Sequence, residues 1–546
     1  MDKTALKKFA ISIRTELISI VKTKVDYFTS LDILPVEYKE YESLINEIKE
    51  KASKNYEEFI EEVAYIWFNR FVAFRFMDIH NITDKKVISP ANENETLPEI
   101  FALAKEGEID ERLNINTQKF YDILDKKINS KDSENECYRM LFIASCNYYS
   151  EIIPVMFEKI DKYTELLLPD DLLSKNSIRT KFIQNLNEEN SKDIEVIGWL
   201  YQYYISEKKD EVFTKLKKNI KITPLNIPAA TQLFTPHWIV KYLIENSLGR
   251  LWMLNNPNSS LKEKMRYYID EESKEFIKIS SPTELTIFDP CCGSGHMLTY
   301  AFDLLTLIYE EEGYNKSEIP ALILENNIFG CDIDKRAATL ANFALIMKAR
   351  LYHKRFFRKK VNPKVIELKE YEDFKDIKNL GSLIKPENVD FEEGIFSNSN
   401  KHHLFQKQIL TQTYTCVVTN PPYMGSKGMN KSLSDFVKKH YPDSKSDLFA
   451  VFMERGLEFT KDKGFMAMIT MQSWMFLSSF EKLRTSILKN YKIITLAHLG
   501  NMVMGIAFGT SAFIIQKIKP NNKSKGVYFK IELKDLDEDR EIKSLK

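Results

Sequence analysis

An excess of charge of either sign is missing from these 546 residues, in which 78 lysines and arginines face 78 aspartates and glutamates. The balance excludes a chain-wide basic footprint for nucleic acid, so any such surface must be local. Cysteine is scarce as well. The six present (Cys137, Cys146, Cys291, Cys292, Cys331, Cys416) form no CxxC and no Cys/His ligand spacing, so neither a metal site nor a disulfide framework is indicated. Adjacent Cys291 and Cys292 read as small residues in a tight turn. No apolar run reaches the roughly 18 residues of a membrane helix. The richest stretch, Val63 to Met77, is interrupted by Asn69, Arg70 and Arg75. With no signal-like opening segment, the expected location is the cytoplasm, with no membrane partner.

What is present is enough apolar material, 44%, for two or three cored domains. From Thr4 to Tyr204 charged and apolar residues alternate at helical spacing, as in Leu17, Ile20, Val21 and Val25, which predicts an all-α domain over 1–220. Residues 62–77 are apolar nearly all round, the pattern of a helix inside a bundle. Its Arg70 and Arg75 suit either ion pairs at the rim or phosphate contacts. The separated acid and Glu-x-Lys pattern of a metal-dependent nuclease does not stand out in this half.

Pro224 and Pro228 mark a linker, after which strands and helices alternate over 221–520. Thr235 is placed to cap a helix from Ile239 to Ser247, with Pro236 at its first position. Leu285-Thr286-Ile287-Phe288 is a strand, followed by the turn Asp289-Pro290-Cys291-Cys292-Gly293-Ser294-Gly295-His296 and a helix from Met297. Strand, glycine-rich turn and helix make the first βα unit of a nucleotide-binding sheet. Without Gly-Lys-Ser/Thr it is no P-loop. A second strand ends in Asp332, placed to hold a ribose diol, and Asp334 caps the next helix. That helix runs into the basic cluster Lys348 to Lys360, either a solvated helix end or a DNA-phosphate patch. Leu380 to Ile384 is expected to end the third strand, and Phe465–Thr470, Ile493–Leu496 and Gly509–Ile515 are further strands.

The stretch Cys416-Val417-Val418 leads into Asn420-Pro421-Pro422-Tyr423. Two prolines remove two backbone donors and fix two φ angles, which leaves a stiff loop with outward carbonyls, one carboxamide and one ring. Such a loop can accept both hydrogens of an NH2 group on a flat substrate while the ring stacks on its face.

Taken in order, Gln232 to Pro236, Asp289 to Gly295, Asp332, Asn420 to Tyr423 and Gly509-Thr510-Ser511 resemble the adenine-N6 DNA methyltransferases, and in particular the PglX methyltransferases of BREX phage-defence systems. The resemblance covers about residues 225–520. It implies a class I S-adenosylmethionine-dependent methyltransferase fold, Rossmann-like, with a mostly parallel seven-stranded α/β sheet behind an all-α N-terminal domain. Carried over, Thr235, Asp289, Pro290, Gly293 and Gly295 would hold the methionine part of S-adenosylmethionine, and Asp332 its ribose. Asn420 and the Pro421 carbonyl would take the adenine N6 hydrogens, Pro422 would stiffen the loop, and Tyr423 would stack on the flipped base. Phe508 or Phe513 would be the second aromatic. Where such enzymes place an acid to read the cofactor's adenine, this chain has Gly381-Ser382. The implied partners are double-stranded DNA and other defence-system proteins. Residues 521–546 are expected to be a charged tail that opens a missing C-terminal recognition region. A modification subunit of a restriction system, a glutamine methyltransferase and a cofactor-binding scaffold remain as alternatives.

Overall fold

The computed structural model describes residues 3–157, 162–218, 220–223, 226–231, 233, 235–271, 273–386, 398–537 and 541–542. The chain forms two compact units, Met1–Glu207 and Lys208–Lys546. All regular structure among the described residues of the first unit is helical. Its central helices are α1 (Lys3–Ser30) and α2 (Tyr56–Ile79). The near-continuous apolar sequence of α2 buries Trp67, Phe68, Phe71 and Phe74, each contributing about 1.5–3 kcal/mol by leaving water. Phe71 stacks between Phe142 at 4.9 Å and Phe182 at 5.3 Å. Neither arginine on α2 is left for phosphate. Arg70 is buried over the Trp67 ring, and Arg75 donates to the Leu186 carbonyl and the Ser89 hydroxyl. At the end of α2 the buried Asp78 accepts the backbone N–H groups of Val87, Ile88 and Ser89, all at 2.9 Å, and so folds the following loop back.

The second unit is built on one sheet of eight strands in the order β3-β2-β1-β4-β5-β7-β6-β8. They are β1 (Ile287–Asp289), β2 (Ile328–Asp332), β3 (Lys364–Glu367), β4 (Tyr414–Thr419), β5 (Thr460–Met471), β6 (Lys492–Leu499), β7 (Thr510–Gln516) and β8 (Val527–Ile531). From β3 to β5 all neighbours are parallel; β7 enters antiparallel between β5 and β6. Central β4 is buried along its whole length, as a parallel strand covered on both faces must be. The chain passes from β1 through helix α3 (His296–Glu311) to β2, and through α4 (Lys335–Tyr352) to β3. It then returns to lay β4 on the other side of β1, which makes β1/β4 the point where strand order reverses. Ligands of open α/β sheets sit beyond the carboxyl ends of the strands at that point.

Four expectations change. Strand β8 pairs parallel with β6, so the sheet has eight strands rather than seven and part of the expected tail is ordered structure. The division between units falls after Glu207, not at 220. The third strand is Lys364–Glu367, hidden in the sequence inside a charged insertion, while Leu380 to Leu383 is helical turn. A short apolar run does not by itself distinguish a strand from a buried turn of helix. Lastly, Pro236, not Thr235, is the N-cap of helix α5 (His237–Ile244), which precedes β1 in the chain.

Candidate functional site at the carboxyl edge of the sheet

Asp289 ends β1 and Asn420 directly follows β4, and these two strands are hydrogen-bonded neighbours in register Phe288 with Val417. Asp332 ends β2 on the other side of β1, where Asp289 pairs with Gly330. The carboxylates and the carboxamide therefore come to one sheet edge, on strands about 4.8 Å apart.

Asp289 is 2% exposed, and its Oδ1 accepts the Cys291 N–H at 3.1 Å. Burial pushes its carboxyl up to about 7, against the pull of its hydrogen bonds. Asp332 is pushed up to about 6, again by burial, although it accepts the Gly293 N–H at 2.9 Å and the Asp334 N–H at 2.8 Å. Asp334 caps α4 through the Arg336 N–H, as expected. The two glycines of the turn divide the work. Gly293 has φ +53°, and a Cβ built on it meets nothing within 4 Å. Gly295 has φ +87°, and its Cβ would lie 2.9 Å from that of Ala341 on α4, so close helix packing accounts for it. The Pro290 carbonyl is taken by the buried Ser382 hydroxyl at 2.8 Å, which assigns the Gly381-Ser382 turn to holding the loop in place.

On the β4 side, the Asn420 carboxamide nitrogen donates to the Leu233 carbonyl and to the Thr235 hydroxyl, both at 3.1 Å. Its Oδ1 is buried and has no hydrogen-bond partner. A carbonyl only accepts, so the Leu233 oxygen dictates which way the amide faces. Of the segment expected to lead into this site, Gln232 and Phe234 lie outside the described residues. The Tyr423 hydroxyl donates to the Ile469 carbonyl on β5 at 3.1 Å, and its ring faces Phe449 at 6.1 Å and Phe508 at 6.3 Å. Of the two candidate second aromatics, Phe508 is 39% exposed beside Tyr423. Phe513 is fully buried against Trp474 in the core and is not available to a ligand. Ser511, quoted in the resemblance, accepts the Trp474 indole N–H at 2.9 Å and is likewise internal.

One further residue joins the site. Asp447 caps α6 (Leu448–Phe459) and also accepts the Met424 N–H at 3.0 Å, while the Leu448 N–H returns to the Met424 carbonyl at 3.1 Å. It thus anchors the residue next to Tyr423. Burial raises its carboxyl to about 6. The signal in sequence was only an Asp before an apolar helix.

The basic cluster does not border this edge. Helix α4 starts beside Asp334 and runs for 18 residues, about 27 Å at 1.5 Å per residue, towards the opposite edge of the sheet. Within it, Lys348 pairs with Asp303 at 2.7 Å. The solvated helix end is the better account. Among the described residues no cluster of His, Cys, Asp and Glu is arranged to hold a metal, and no helix is long and apolar enough to cross a membrane.

Sheet order, strand-end acids and glycine turn together define a class I methyltransferase fold. Residues 326–503 match the model of the Eco57I restriction-modification methylase family. It is 37% identical over 91% of its length to the adenine-specific methyltransferase BrxX of Escherichia coli O9:H4 (strain HS). To the adenine-specific methyltransferase PglX of Lacticaseibacillus casei (strain Zhang) it is 34% identical over 95%. It spans 47% and 51% of those two proteins, about half of each. Over 70% of the chain it is 25% identical to the type II restriction enzyme and methyltransferase RM.Eco57I of Escherichia coli, of which it covers 39%. The resemblance drawn from the motifs is thus borne out.

Proposed function

We propose that the chain transfers the methyl group of S-adenosylmethionine to N6 of an adenine extruded from double-stranded DNA, within a phage-defence or restriction-modification system. The observation that supports this most is Asn420. Both hydrogens of its carboxamide are spent on Leu233 and Thr235, and its buried Oδ1 is left without a partner at a ligand-binding sheet edge. A buried acceptor without a donor costs about 1–3 kcal/mol, a cost that a substrate N–H removes.

The residues on the other side of β1 fit the proposed cofactor. Gly293 leaves open space above a left-handed turn, and the buried Asp289 carboxyl, its pKa raised, lacks the counter-charge that an ammonium supplies. Asp289 would take the amino group of the methionine part, and Asp332 the ribose hydroxyls. When bound, S-adenosylmethionine supplies an electrophilic methyl carbon on a sulfonium. Asn420 Oδ1 and the Pro421 carbonyl would accept the two N6 hydrogens, favour a pyramidal nitrogen and aim its lone pair across the β1/β4 boundary, a matter of positioning and fixed dipoles. Tyr423 and Phe508 would hold the base by stacking, returning about 1–3 kcal/mol per base against the cost of extrusion.

The test is incubation of the chain with labelled S-adenosylmethionine and mixed-sequence duplex DNA, beside Asn420→Ala. N6-methyladenine from the unaltered chain alone supports the reading. Label on protein, or cofactor binding with no transfer to any DNA, overturns it in favour of a glutamine methyltransferase or a scaffold.

A further inference from the structure

Thr235 stands between the two halves of the site. It is 5% exposed, its hydroxyl oxygen accepts from Asn420 at 3.1 Å, and among the described residues nothing takes its own hydrogen. A hydroxyl that accepts on one side polarises more strongly when it donates on the other. Next to it, α5 begins at Pro236 with no side-chain cap and runs on through Glu245–Gly249 into a further helix. Its positive end therefore lies beside a hydroxyl with a hydrogen to give, an arrangement that favours an anion.

We propose that Thr235 couples the cofactor to the target base: it donates its hydrogen to the carboxylate of the methyl donor and thereby tightens its grip on the Asn420 carboxamide. Asn420 Oδ1 is then held more firmly at its working angle when the donor is bound. This rests on the reading of the site given above. It makes Thr235 a positioning residue acting through Asn420, and by linkage whatever Asn420 gains from the cofactor, the cofactor gains from an occupied base site. Because the Leu233 carbonyl holds the same NH2 group independently, removing the hydroxyl loosens the amide without reversing it.

The experiment follows the Asn420 side-chain amide resonances in deuterated chain labelled with 15N-asparagine, assigned by their loss in Asn420→Ser. Two probes are added: sinefungin, which carries the amino-acid part of the donor, and methylthioadenosine, which lacks it. Calorimetry records whether each binds. The expected result is that sinefungin shifts the Asn420 amide pair and slows its hydrogen exchange in the unaltered chain and in Thr235→Ser. In Thr235→Val sinefungin binds but leaves the pair where it was, and methylthioadenosine shifts it in none of the three. An equal shift in Thr235→Val, or an equal shift with methylthioadenosine, overturns the coupling while leaving the methyltransferase reading in place. Failure of the unaltered chain to bind sinefungin overturns both.

Discussion

Asp447 Oδ1 lies 3.0 Å from the Met424 backbone nitrogen, so the helix that follows the Asn420–Tyr423 loop holds that loop at its far end. The near end is held by β4 and the Tyr423 hydroxyl by β5. A loop already stiffened by two prolines is therefore fixed at three points before any ligand arrives.

Asp447→Ala leaves the Met424 and Phe449 N–H groups without their acceptor and removes a helix cap. It should cost roughly 2–4 kcal/mol in denaturant unfolding. Asp447→Asn keeps an acceptor and should cost under about 1 kcal/mol. Single-turnover methyl transfer should fall in the Ala variant with the cofactor Kd unchanged.

Asn420→Asp tests the orientation of the amide. The substitution keeps an acceptor but sets a second oxygen against the Leu233 carbonyl, 3.1 Å away, where only a donor is tolerated. Transfer should drop on the order of 100-fold or more, although an acceptor formally remains. Activity near that of the unaltered chain would show that the Leu233 contact is dispensable.

The two turn glycines should separate stability from binding. Gly295→Ala drives a methyl into Ala341 at 2.9 Å and should lower stability by about 1–3 kcal/mol. Gly293→Ala meets open space, so only the left-handed backbone resists it, at about 1–2 kcal/mol. Its added methyl should instead show as weaker cofactor binding in calorimetry.

Phe508→Ala should weaken binding of the extruded base by about 1–3 kcal/mol with little change in melting temperature. Phe513→Ala should cost about 3–5 kcal/mol of stability, because the ring is fully buried.

Cofactor affinity should rise with pH up to about 7. The folded pKa of Asp289 is raised by burial, so the neutral carboxyl is favoured below about 7, whereas an ammonium needs the carboxylate. The linked stability has the opposite sign. It is fully present below the unfolded value near 4 and is lost as pH rises through about 7. Asp289→Asn should flatten the binding profile between pH 5 and 8 measured by calorimetry, at a lower affinity throughout.

Much of this was legible in the chain. The βα unit at Asp289, the acid at Asp332, the cap at Asp334 and the helical front half follow from period, capping chemistry and glycine placement, all local properties. The third strand was missed because Lys364-Val365-Ile366-Glu367 is short, charged at both ends and set in a polar insertion, whereas the more apolar Leu380 to Leu383 buries the same kind of surface as helical turn. Phe508 and Phe513 look alike as letters. Phe513 lies within β7, which is buried at every position, whereas Phe508 lies in the loop before it and stays partly exposed.

By itself, then, the sequence determined the elements, the stiff loop and the kind of atoms placed at strand ends, since these depend on neighbours a few residues away. Only the tertiary structure decided that Leu233 and Thr235, far off in the chain, fix the direction of Asn420, that Asp447 pins its loop, and that the basic cluster lies at the other edge. Each of those is a contact between distant segments, set by which strands pair across the β1/β4 boundary.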